Sequence, residues 1–460
     1  MKNVVFKTKF DDCKTLREIL DKIDNSFFEK VSYKLLSMWI LYPLLMMFIT
    51  YKFNNDLARN IMFYLLIFIG VLGILLGIIY SLKKFYKKQK ISIKKYLPII
   101  LGFILLFWCL FTSFFTNYYN LTFTGEPYRK EGLQTYFLYS GILLLGILLK
   151  NKKLLVKLFN KLLFVEVIIG IIALFNNSMT YSLMHNQEPY TGIFSQFNHY
   201  GYYLMFGIIL SIFMFLNNKN KLFKLMYLTI YVFLLHLLIL NDTFGCFLAI
   251  LSTLIFIVFY YIFIKKQFKK IIPIIILFVL VSLITFRNNQ NIVYKNFNKL
   301  FSDVKVVNNI VKDNKNNNSN KYNNNKYKLY NIGTSRGLLW TYGIKYISKS
   351  PIIGHGIEAT YILYPSDNIN QSRPHNILIQ FGIFIGIPGI IFYVIFILSI
   401  LIRNLKKIKL LDDINIFCLF IVICYLISSM FGNSMFYTSP YFFIFLGIVC
   451  KNAFYEKELI

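Results

Sequence analysis

The segment 372–380 combines residue types that suit general-base and phosphate chemistry. It reads SRPHNILIQ and leads directly into a long apolar run. Ser372 is a typical N-cap residue and Pro374 suits the first helical position, so we predict that His375 lies in the first turn of a helix. The free N–H groups of that turn and the charge of Arg373 favour a phosphate group and keep the imidazole neutral. The alternative is a polar helix start at the membrane interface.

Two further arginines are candidates for contacts with a phosphate group. Arg336 lies at the start of a predicted helix, and its alternative interpretation is an ordinary surface arginine. Arg129 lies in a short outer loop, and the other short loops predicted on the same side contain almost no basic residues. Its side chain could reach into an outer cavity. The alternative there is a local surface pair between Arg129 and Glu131, which would contribute less than about 1 kcal/mol.

A fourth candidate segment spans residues 192–201 and contains glycines with aromatic and amide side chains, among them Asn198 and Tyr200. Such side chains suit sugar binding through stacking and hydrogen bonds. They are equally typical of an aromatic belt at the membrane interface, and both interpretations stay open.

The composition places most of the chain in a membrane. Of its 460 residues, 57% are apolar and 18% aromatic, more than a soluble domain of this length can bury. The formal charge of +30 does not indicate nucleic-acid binding, because the lysines cluster in short loops between apolar runs. The six cysteines show no metal-ligand spacing, so we predict no metal site.

Apolar runs of sufficient length to cross a hydrocarbon core of roughly 30 Å recur along the chain. We predict an all-α polytopic membrane protein with about twelve transmembrane helices. The predicted spans are residues 33–50, 61–80, 97–116, 133–149, 158–175, 199–216, 222–240, 244–264, 271–286, 376–402, 412–430 and 436–450.

The loops that join these spans differ in basic charge. One set of alternate loops contains 22 lysines and arginines, and the other short loops contain four. The positive-inside rule therefore places the first set and both termini in the cytoplasm. The predicted domains are a cytoplasmic segment 1–32, nine spans in 33–286, a large extracytoplasmic loop 287–375, and three spans with a cytoplasmic C-terminus in 376–460.

The large loop has two parts of different character. Residues 308–325 hold ten asparagines and are too polar to form a core, so we predict that they are disordered. Residues 334–350 predict an amphipathic helix, because Leu338, Leu339, Tyr342 and Tyr346 share one face. A turn at 354–356 follows.

Four motifs follow one another in this region: SRGLLW from residue 335, PIIGHG from 351, PHNILIQ from 374 and GIPG from 386. In this order they resemble the O-antigen ligase and O-antigen polymerase superfamily of bacterial envelope membrane proteins. The pieces RKEG at 129–132 and NHYG at 198–201 look like the family's upstream landmarks. The segment 241–245 departs from the pattern, because many members carry a Ser-Arg-Gly-like segment there.

The resemblance implies a membrane-embedded glycosyltransferase of the GT-C-like type, working outside the cytoplasmic membrane without metal or cofactor. It would transfer glycan from a polyprenyl-diphosphate-linked oligosaccharide to a sugar hydroxyl, by inversion at the anomeric carbon. His375 and Arg336 would be catalytic. The other substrate-binding candidates are Arg129, Arg373, Asn376, Glu131, Asn198 and Tyr200.

The sequence favours a polymerase of capsular or exopolysaccharide repeat units over a ligase of finished glycan. The expected partners are the lipid-linked donor, a glycan acceptor, the lipid bilayer, and a chain-length regulator and flippase of the same pathway. A flippase or other transporter is the alternative of a different class, and it predicts charges along a central path and two similar halves of the chain.

Overall fold

The computed structural model describes residues 15–52, 55–86, 93–175, 197–288 and 332–454, together with 13, 194, 298, 302–303 and 305. Every regular element in these residues is a helix. The helices are α1 Leu16–Lys22, α2 Asn25–Lys52, α3 Asn55–Tyr86, α4 Ile93–Ser113, α5 Tyr119–Thr124, α6 Leu133–Leu148, α7 Lys152–Phe175, α8 Phe197–Asn217, α9 Lys221–Leu240, α10 Phe244–Phe259, α11 Ile272–Asn288, α12 Ile332–Lys349, α13 Thr360–Ser366, α14 Ile377–Lys406, α15 Asp413–Ser429 and α16 Ser439–Phe454.

The all-helical membrane fold is confirmed. Seven helices in the described residues are long and apolar enough to cross a bilayer, and three shorter apolar helices accompany them. A helix is stable in the hydrocarbon core of a bilayer because it satisfies its own backbone hydrogen bonds. A helix overlaps each of the twelve predicted spans, but the number of crossings and their orientation stay predictions.

Helix α6 packs tightly between α3 and α16. A Cβ atom built on Gly73 of α3 would collide with the backbone of Gly141 in α6, and one built on Gly447 of α16 would collide with the backbone of Leu143. Glycine permits this close approach of helix backbones. The three helices run in the same direction, so the residues that precede α6 and α16 lie at the same end of the bundle.

Helix α14 is broken near its middle. Gly386 has φ +73° and ψ −180°, a conformation that is open essentially to glycine alone. Pro388 has no backbone N–H, so it cannot bond to the carbonyl four residues earlier. The N–H of Ile387 instead donates to the carbonyl of Pro351 in the loop, over 2.7 Å.

The turn after α12 closes this break. The N–H of His355 donates to the carbonyl of Ile383 over 2.8 Å, and the N–H of Gly356 donates to the carbonyl of Phe384 over 3.0 Å. The loop therefore supplies the donors that α14 lacks. The PIIGHG and GIPG motifs form one structural unit, which fixes the loop after α12 to the break in α14.

The predicted amphipathic helix is present as α12. Leu339 and Tyr346 are buried, and the hydroxyl of Tyr346 donates to the carbonyl of Leu363 over 2.6 Å. The hydroxyl of Tyr364 in α13 donates to the carbonyl of Leu339 over 2.9 Å. Helices α12 and α13 thus pack together. The predicted disordered segment 308–325 lies outside the described residues.

Replacing Gly386 with alanine should destabilise the protein by about 1–3 kcal/mol, the strain of a side chain in this backbone region. The added Cβ would also collide with the carbonyl of Ile352. The midpoint of thermal unfolding of the purified protein measures the effect. The control is Gly102→Ala in α4, where the new Cβ would lie 3.2 Å from the ring of Phe396. Equal unfolding midpoints for the two variants would contradict this explanation of the break.

Candidate functional site

The start of α14 differs from the sequence prediction. Asn376, not Ser372, is the N-cap, and its Oδ1 accepts hydrogen bonds from the N–H groups of Leu378 (3.0 Å) and Ile379 (3.1 Å). His375 therefore precedes the helix, with φ +52°. The prediction that His375 lies in the first turn is wrong, because the asparagine directly after it caps the helix. Two N–H groups predicted to bind phosphate are thus satisfied by Asn376.

His375 is partly buried and lies among cationic groups. Its Nε2 lies 3.3 Å from Nδ2 of Asn433, and its Nδ1 has no hydrogen-bond partner in the described part of the chain. Burial, followed by the charges of Arg336, Arg129 and Arg373, lowers the pKa of His375 to about 3. The imidazole of the unliganded protein is therefore neutral at any physiological pH and can accept a proton.

Arg373 is fully buried between two carboxylates. Its Nη1 lies 2.7 Å from Oε2 of Glu131, and its Nη2 contacts Oε1 of Glu358. Nη1 also donates to the carbonyl and the hydroxyl of Ser434, each over 3.1 Å. Glu131 lies before α6, Glu358 after the turn at 354–356, and Ser434 before α16. Arg373 therefore holds three segments together beside His375, which is a positioning role.

The two carboxylates that contact Arg373 differ in the number of hydrogen bonds that they accept. Glu131 accepts hydrogen bonds from the hydroxyls of Tyr139 (2.6 Å) and Ser434 (2.8 Å) in addition to the ion pair with Arg373. Glu358 has φ +64°, and its Oε2 has no partner within the described ranges. Burial and the nearby Glu131 outweigh Arg373 and raise the pKa of Glu358 to about 7.

Arg129 does not form the surface pair with Glu131 that was the alternative to a ligand contact. Its Nε lies 2.9 Å from Oε2 of Glu126, and its Nη2 donates to the hydroxyl of Ser372 over 2.7 Å. Its Nη1 has no hydrogen-bond partner among the residues described above. Arg129 is thus positioned by Glu126 and Ser372, and it keeps one donor for a ligand.

Arg336 approaches His375 from the first part of α12. Its charge is the largest electrostatic contribution to the lowered pKa of His375. Tyr202 of α8 and Cys246 of α10 interact electrostatically with it, and burial lowers the pKa of Arg336 itself. The other two arginines pair with carboxylates, Arg129 with Glu126 and Arg373 with Glu131 and Glu358. The charge of Arg336 adds to the positive potential at His375.

In the segment 198–201, the residue that interacts with the site is His199, whereas Asn198 and Tyr200 were predicted. Tyr200 is buried and stacks with Phe194, their centroids being 5.9 Å apart, and Asn198 is partly exposed. His199, between them, interacts electrostatically with the arginine cluster, and its Nδ1 lies 2.6 Å from the hydroxyl of Tyr437. The core packing of Tyr200 gives no support to its predicted contact with a sugar.

Sequence reasoning missed four residues of this site: Glu358, Asn433, Ser434 and His199. The polar pair Asn433 and Ser434 lies between the last two predicted spans, at the end where His375 was expected. This position between two spans was the sequence feature that could have identified Asn433 and Ser434 as residues of the site. The resulting cluster, which we call the arginine end, consists of His375, Arg336, Arg129 and Arg373 with the residues that hold them. It combines a neutral imidazole with three guanidinium groups, and Nη1 of Arg129 has no hydrogen-bond partner among the described residues. The cluster can therefore bind an anion and accept a proton beside it.

Comparison with known families finds a match to one part of the chain. Residues 229–394 match the O-antigen ligase family model, which confirms the resemblance to the O-antigen ligase and polymerase superfamily. The matched region contains Arg336, Glu358, Arg373 and His375, whereas Arg129 and Glu131 lie outside it. None of the curated proteins compared with the chain matches it. The match supports glycan processing of the ligase or polymerase type, with a lipid-linked glycan as substrate in a membrane.

Proposed function

We propose, from this relationship to O-antigen ligases and polymerases, that the protein transfers glycan from a polyprenyl-diphosphate-linked oligosaccharide to the hydroxyl group of an acceptor sugar. One observation carries the proposal. A neutral imidazole, that of His375, lies beside three guanidinium groups at one end of an apolar helix bundle. A diphosphate leaving group needs the cations, and an acceptor hydroxyl needs the base.

The reaction is a single displacement at the anomeric carbon. The acceptor oxygen forms a bond to this carbon while the bond to the diphosphate oxygen breaks, which inverts the configuration. His375 accepts the proton of the acceptor hydroxyl. The bonding electron pair leaves with the polyprenyl diphosphate, whose developing charge is stabilised by Arg336 and by the free Nη1 of Arg129. Asn433 and Asn376 orient the imidazole and the backbone that carries it.

The donor itself strengthens the base. The low pKa of His375 arises in part from the charges of Arg336, Arg129 and Arg373. A bound diphosphate anion compensates these charges, and an anion near an imidazole favours its protonated form. The pKa of His375 therefore rises when the donor binds, so proton transfer is favoured only in the complex that can react.

We favour a polymerase that joins repeat units of a capsular or exopolysaccharide glycan on the outer face of the cytoplasmic membrane. The loop charges support this orientation, with the arginine end outside. The second candidate is a ligase that moves finished glycan to a lipid, wall or protein acceptor, which the description of the matched family favours. A transporter is disfavoured, because the charged groups of the site gather at one end of the bundle.

Purified protein incubated with lipid-linked repeat units tests the proposal. Products of several repeat units on one lipid indicate a polymerase. Chains of unchanged length on a new acceptor indicate a ligase. Donor that remains intact in the presence of every acceptor contradicts glycosyl transfer.

Replacing Arg336 with lysine should lower the rate of transfer by roughly tenfold, because lysine keeps the charge but loses the planar fork that binds two phosphate oxygens. Arg336→Gln should lower the rate of transfer by more than Arg336→Lys does. Initial rates over a range of donor concentrations measure both effects. Arg287→Lys, an exposed residue at the end of α11, is the matched control. Full activity of Arg336→Gln would contradict the assigned role.

A further inference from the structure

The turn after α12 carries an exposed apolar side chain beside the break in α14. This turn, residues 351–356, is held against α14 by the backbone hydrogen bonds of Pro351, His355 and Gly356. At its tip, the side chain of Ile352 points away from the protein and is 64% exposed. The surfaces on both sides of the turn indicate what surrounds this side chain.

The exposed face of α14 is continuous with Ile352. Beyond the break, exposed apolar side chains recur at the spacing of one helix face: Ile387, Ile391, Ile395, Leu398, Ile402 and Leu405. No charged residue interrupts this stripe before Arg403. From Ile377 to Gly386, by contrast, every residue of α14 is buried or half-buried. The lipid-facing stripe therefore begins at Ile387, whose N–H bonds to the carbonyl of Pro351.

Helix α4 exposes apolar side chains on the other side of the turn. Nε1 of Trp108 donates to the carbonyl of Ile385, and the hydroxyl of Thr116 donates to the carbonyl of His355, each over 2.8 Å. The tip of the turn thus lies at about the level of Trp108. Three exposed aromatic rings follow Trp108 toward the arginine end: those of Phe111, Phe114 and Phe115. Apolar surface therefore extends past the tip in both directions along the bundle.

Helix lengths give the depth of the tip. From Ile385 to Arg403, the first basic residue after the break, α14 is about 27 Å long. The apolar part of α4 from Tyr96 to Trp108 is about 18 Å long. Both lengths are shorter than a hydrocarbon core of roughly 30 Å, and the tilt of membrane helices shortens their projection further. The tip therefore lies about 3–12 Å inside the boundary of the core at the arginine end.

The backbone of the turn is suited to this depth, because its polar groups bond to the protein. Non-helical backbone is tolerated in the hydrocarbon region only where it is buried in protein or lines a water-filled cavity. The N–H of His355 and the carbonyl of Pro351 bond to α14. The carbonyl of Gly354 accepts a hydrogen bond from the hydroxyl of Ser350 over 2.6 Å, and Nε2 of His355 donates to the carbonyl of Tyr346 over 2.9 Å. The exposed tip thus presents mainly apolar side chains.

The exposed face of α12 differs from the tip of the turn. Lys345, Ser348 and Lys349 are exposed there. The long side chain of Lys349, three residues before Ile352, can extend out of the hydrocarbon to the headgroups. This face of α12 suits headgroups and water, whereas the tip that follows it suits acyl chains.

We propose that the turn 351–356 enters the leaflet at the arginine end, with Ile352 among its acyl chains. The partner is lipid rather than a second protein, because Ile352 continues the stripe by which α14 faces the bilayer. From Ile377 to Ile385, α14 is about 12 Å long, so insertion holds the start of α14 at the level of the headgroups. The diphosphate of the proposed donor would lie at that level, and this consequence alone rests on the proposed function.

Spin labels on the full chain in phospholipid vesicles test the insertion. In a Cys13→Ser background the five other cysteines are buried, so one label can be placed at Ile352→Cys, Ile391→Cys or Ile344→Cys. Position 391 lies on the lipid-facing stripe, and position 344 is exposed on α12, about 12 Å before residue 352. The depth of each label follows from its collisions with oxygen, which is enriched in hydrocarbon, and with a water-soluble nickel chelate. The background chain without an added cysteine should take up no label.

The label at position 352 should behave like the label at position 391. It should collide more often with oxygen than with the chelate, and the label at position 344 should show the reverse. A label at 352 that the chelate reaches as readily as it reaches 344 would overturn the proposal. Shielding of the 352 label from both reagents would also overturn it, since a second copy of the chain would then cover the surface.

A charge at the tip gives a second measurement. Ile352→Asp should lower the unfolding midpoint of the protein in vesicles by several degrees, because a short carboxylate cannot reach the headgroups from this depth. Ile344→Asp, the matched exposed isoleucine of α12, should change the midpoint little. Equal midpoints for the two variants would contradict insertion. A protein that meets both expectations and leaves lipid-linked donor intact would contradict the proposed function but not the insertion.

Discussion

Replacing His375 with asparagine should lower the rate constant of glycosyl transfer by about 10²–10⁴-fold, the usual contribution of a general base. Asparagine tolerates a positive φ better than most residues do, so the backbone at φ +52° is retained while the base is lost. The Michaelis constant for the donor should change little, because the three arginines remain. Single-turnover assays with lipid-linked repeat units measure the chemical step.

Two comparisons separate loss of the base from loss of structure. His236→Asn changes a histidine of α9 that bonds to Thr285 over 2.8 Å, and it should keep near-normal activity. His375→Gly removes the ring and leaves space, so added imidazole should restore part of the rate. A His375→Asn protein that is inserted normally and still transfers glycan at the normal rate would show that another group accepts the proton.

The pH dependence of transfer should differ from that of an ordinary histidine enzyme. The pKa of His375 in the unliganded protein is lowered to about 3, so at pH 5 only about 1% of the imidazole would be protonated. The ratio kcat/KM, which reports groups of the free enzyme, should therefore show no decline caused by His375 between pH 8 and pH 5. A decline with a midpoint near 6.5 that is absent from His375→Asn would show that His375 is not shielded by the arginine cluster. A change near pH 7 that remains in His375→Asn would instead report Glu358, whose pKa is raised to about 7.

The sequence predicted the parts of the site that depend on local pattern. The helical membrane fold follows from apolar runs, and α12 follows from the spacing of Leu339 and Tyr346. Arg336, His375 and Arg129 were found because polar residues at the ends of apolar runs are uncommon. Their grouping also followed in part from topology, since alternate loops lie on the same side.

The contacts between distant segments could not be predicted. The carboxylates that hold Arg373 come from residues 131 and 358, and no local pattern pairs them. The N-cap of α14 was predicted at Ser372, but it is Asn376. Serine and asparagine both suit an N-cap position, and only the left-handed backbone of His375 decides between them. Tyr200 and Asn198 carry the same kinds of side chain as a sugar site, but core packing, which depends on all neighbouring helices, buries Tyr200.

Replacing Arg373 with methionine should destabilise the fold by about 3–5 kcal/mol, because it leaves two buried carboxylates without their common cation. Glu131 and Glu358 are both fully buried, and each bonds to a different nitrogen of the guanidinium group. The unfolding midpoint of the purified protein should fall, and the segments before α6, α14 and α16 should become more accessible to hydrogen exchange. Arg373→Lys should recover little, since one ammonium group cannot reproduce both contacts.

A compensating variant distinguishes this positioning role from direct binding of the diphosphate. Arg373→Met/Glu131→Gln/Glu358→Gln removes the unpaired charges and should recover much of the stability lost by Arg373→Met alone, while Arg287→Met, at an exposed position, should have little effect. Because His375 follows Arg373 by two residues, the triple variant should recover stability more fully than activity. If Arg373→Met instead unfolds at the normal temperature and raises only the Michaelis constant for the donor, Arg373 binds the diphosphate directly. The buried cluster would then not be what fixes the position of His375.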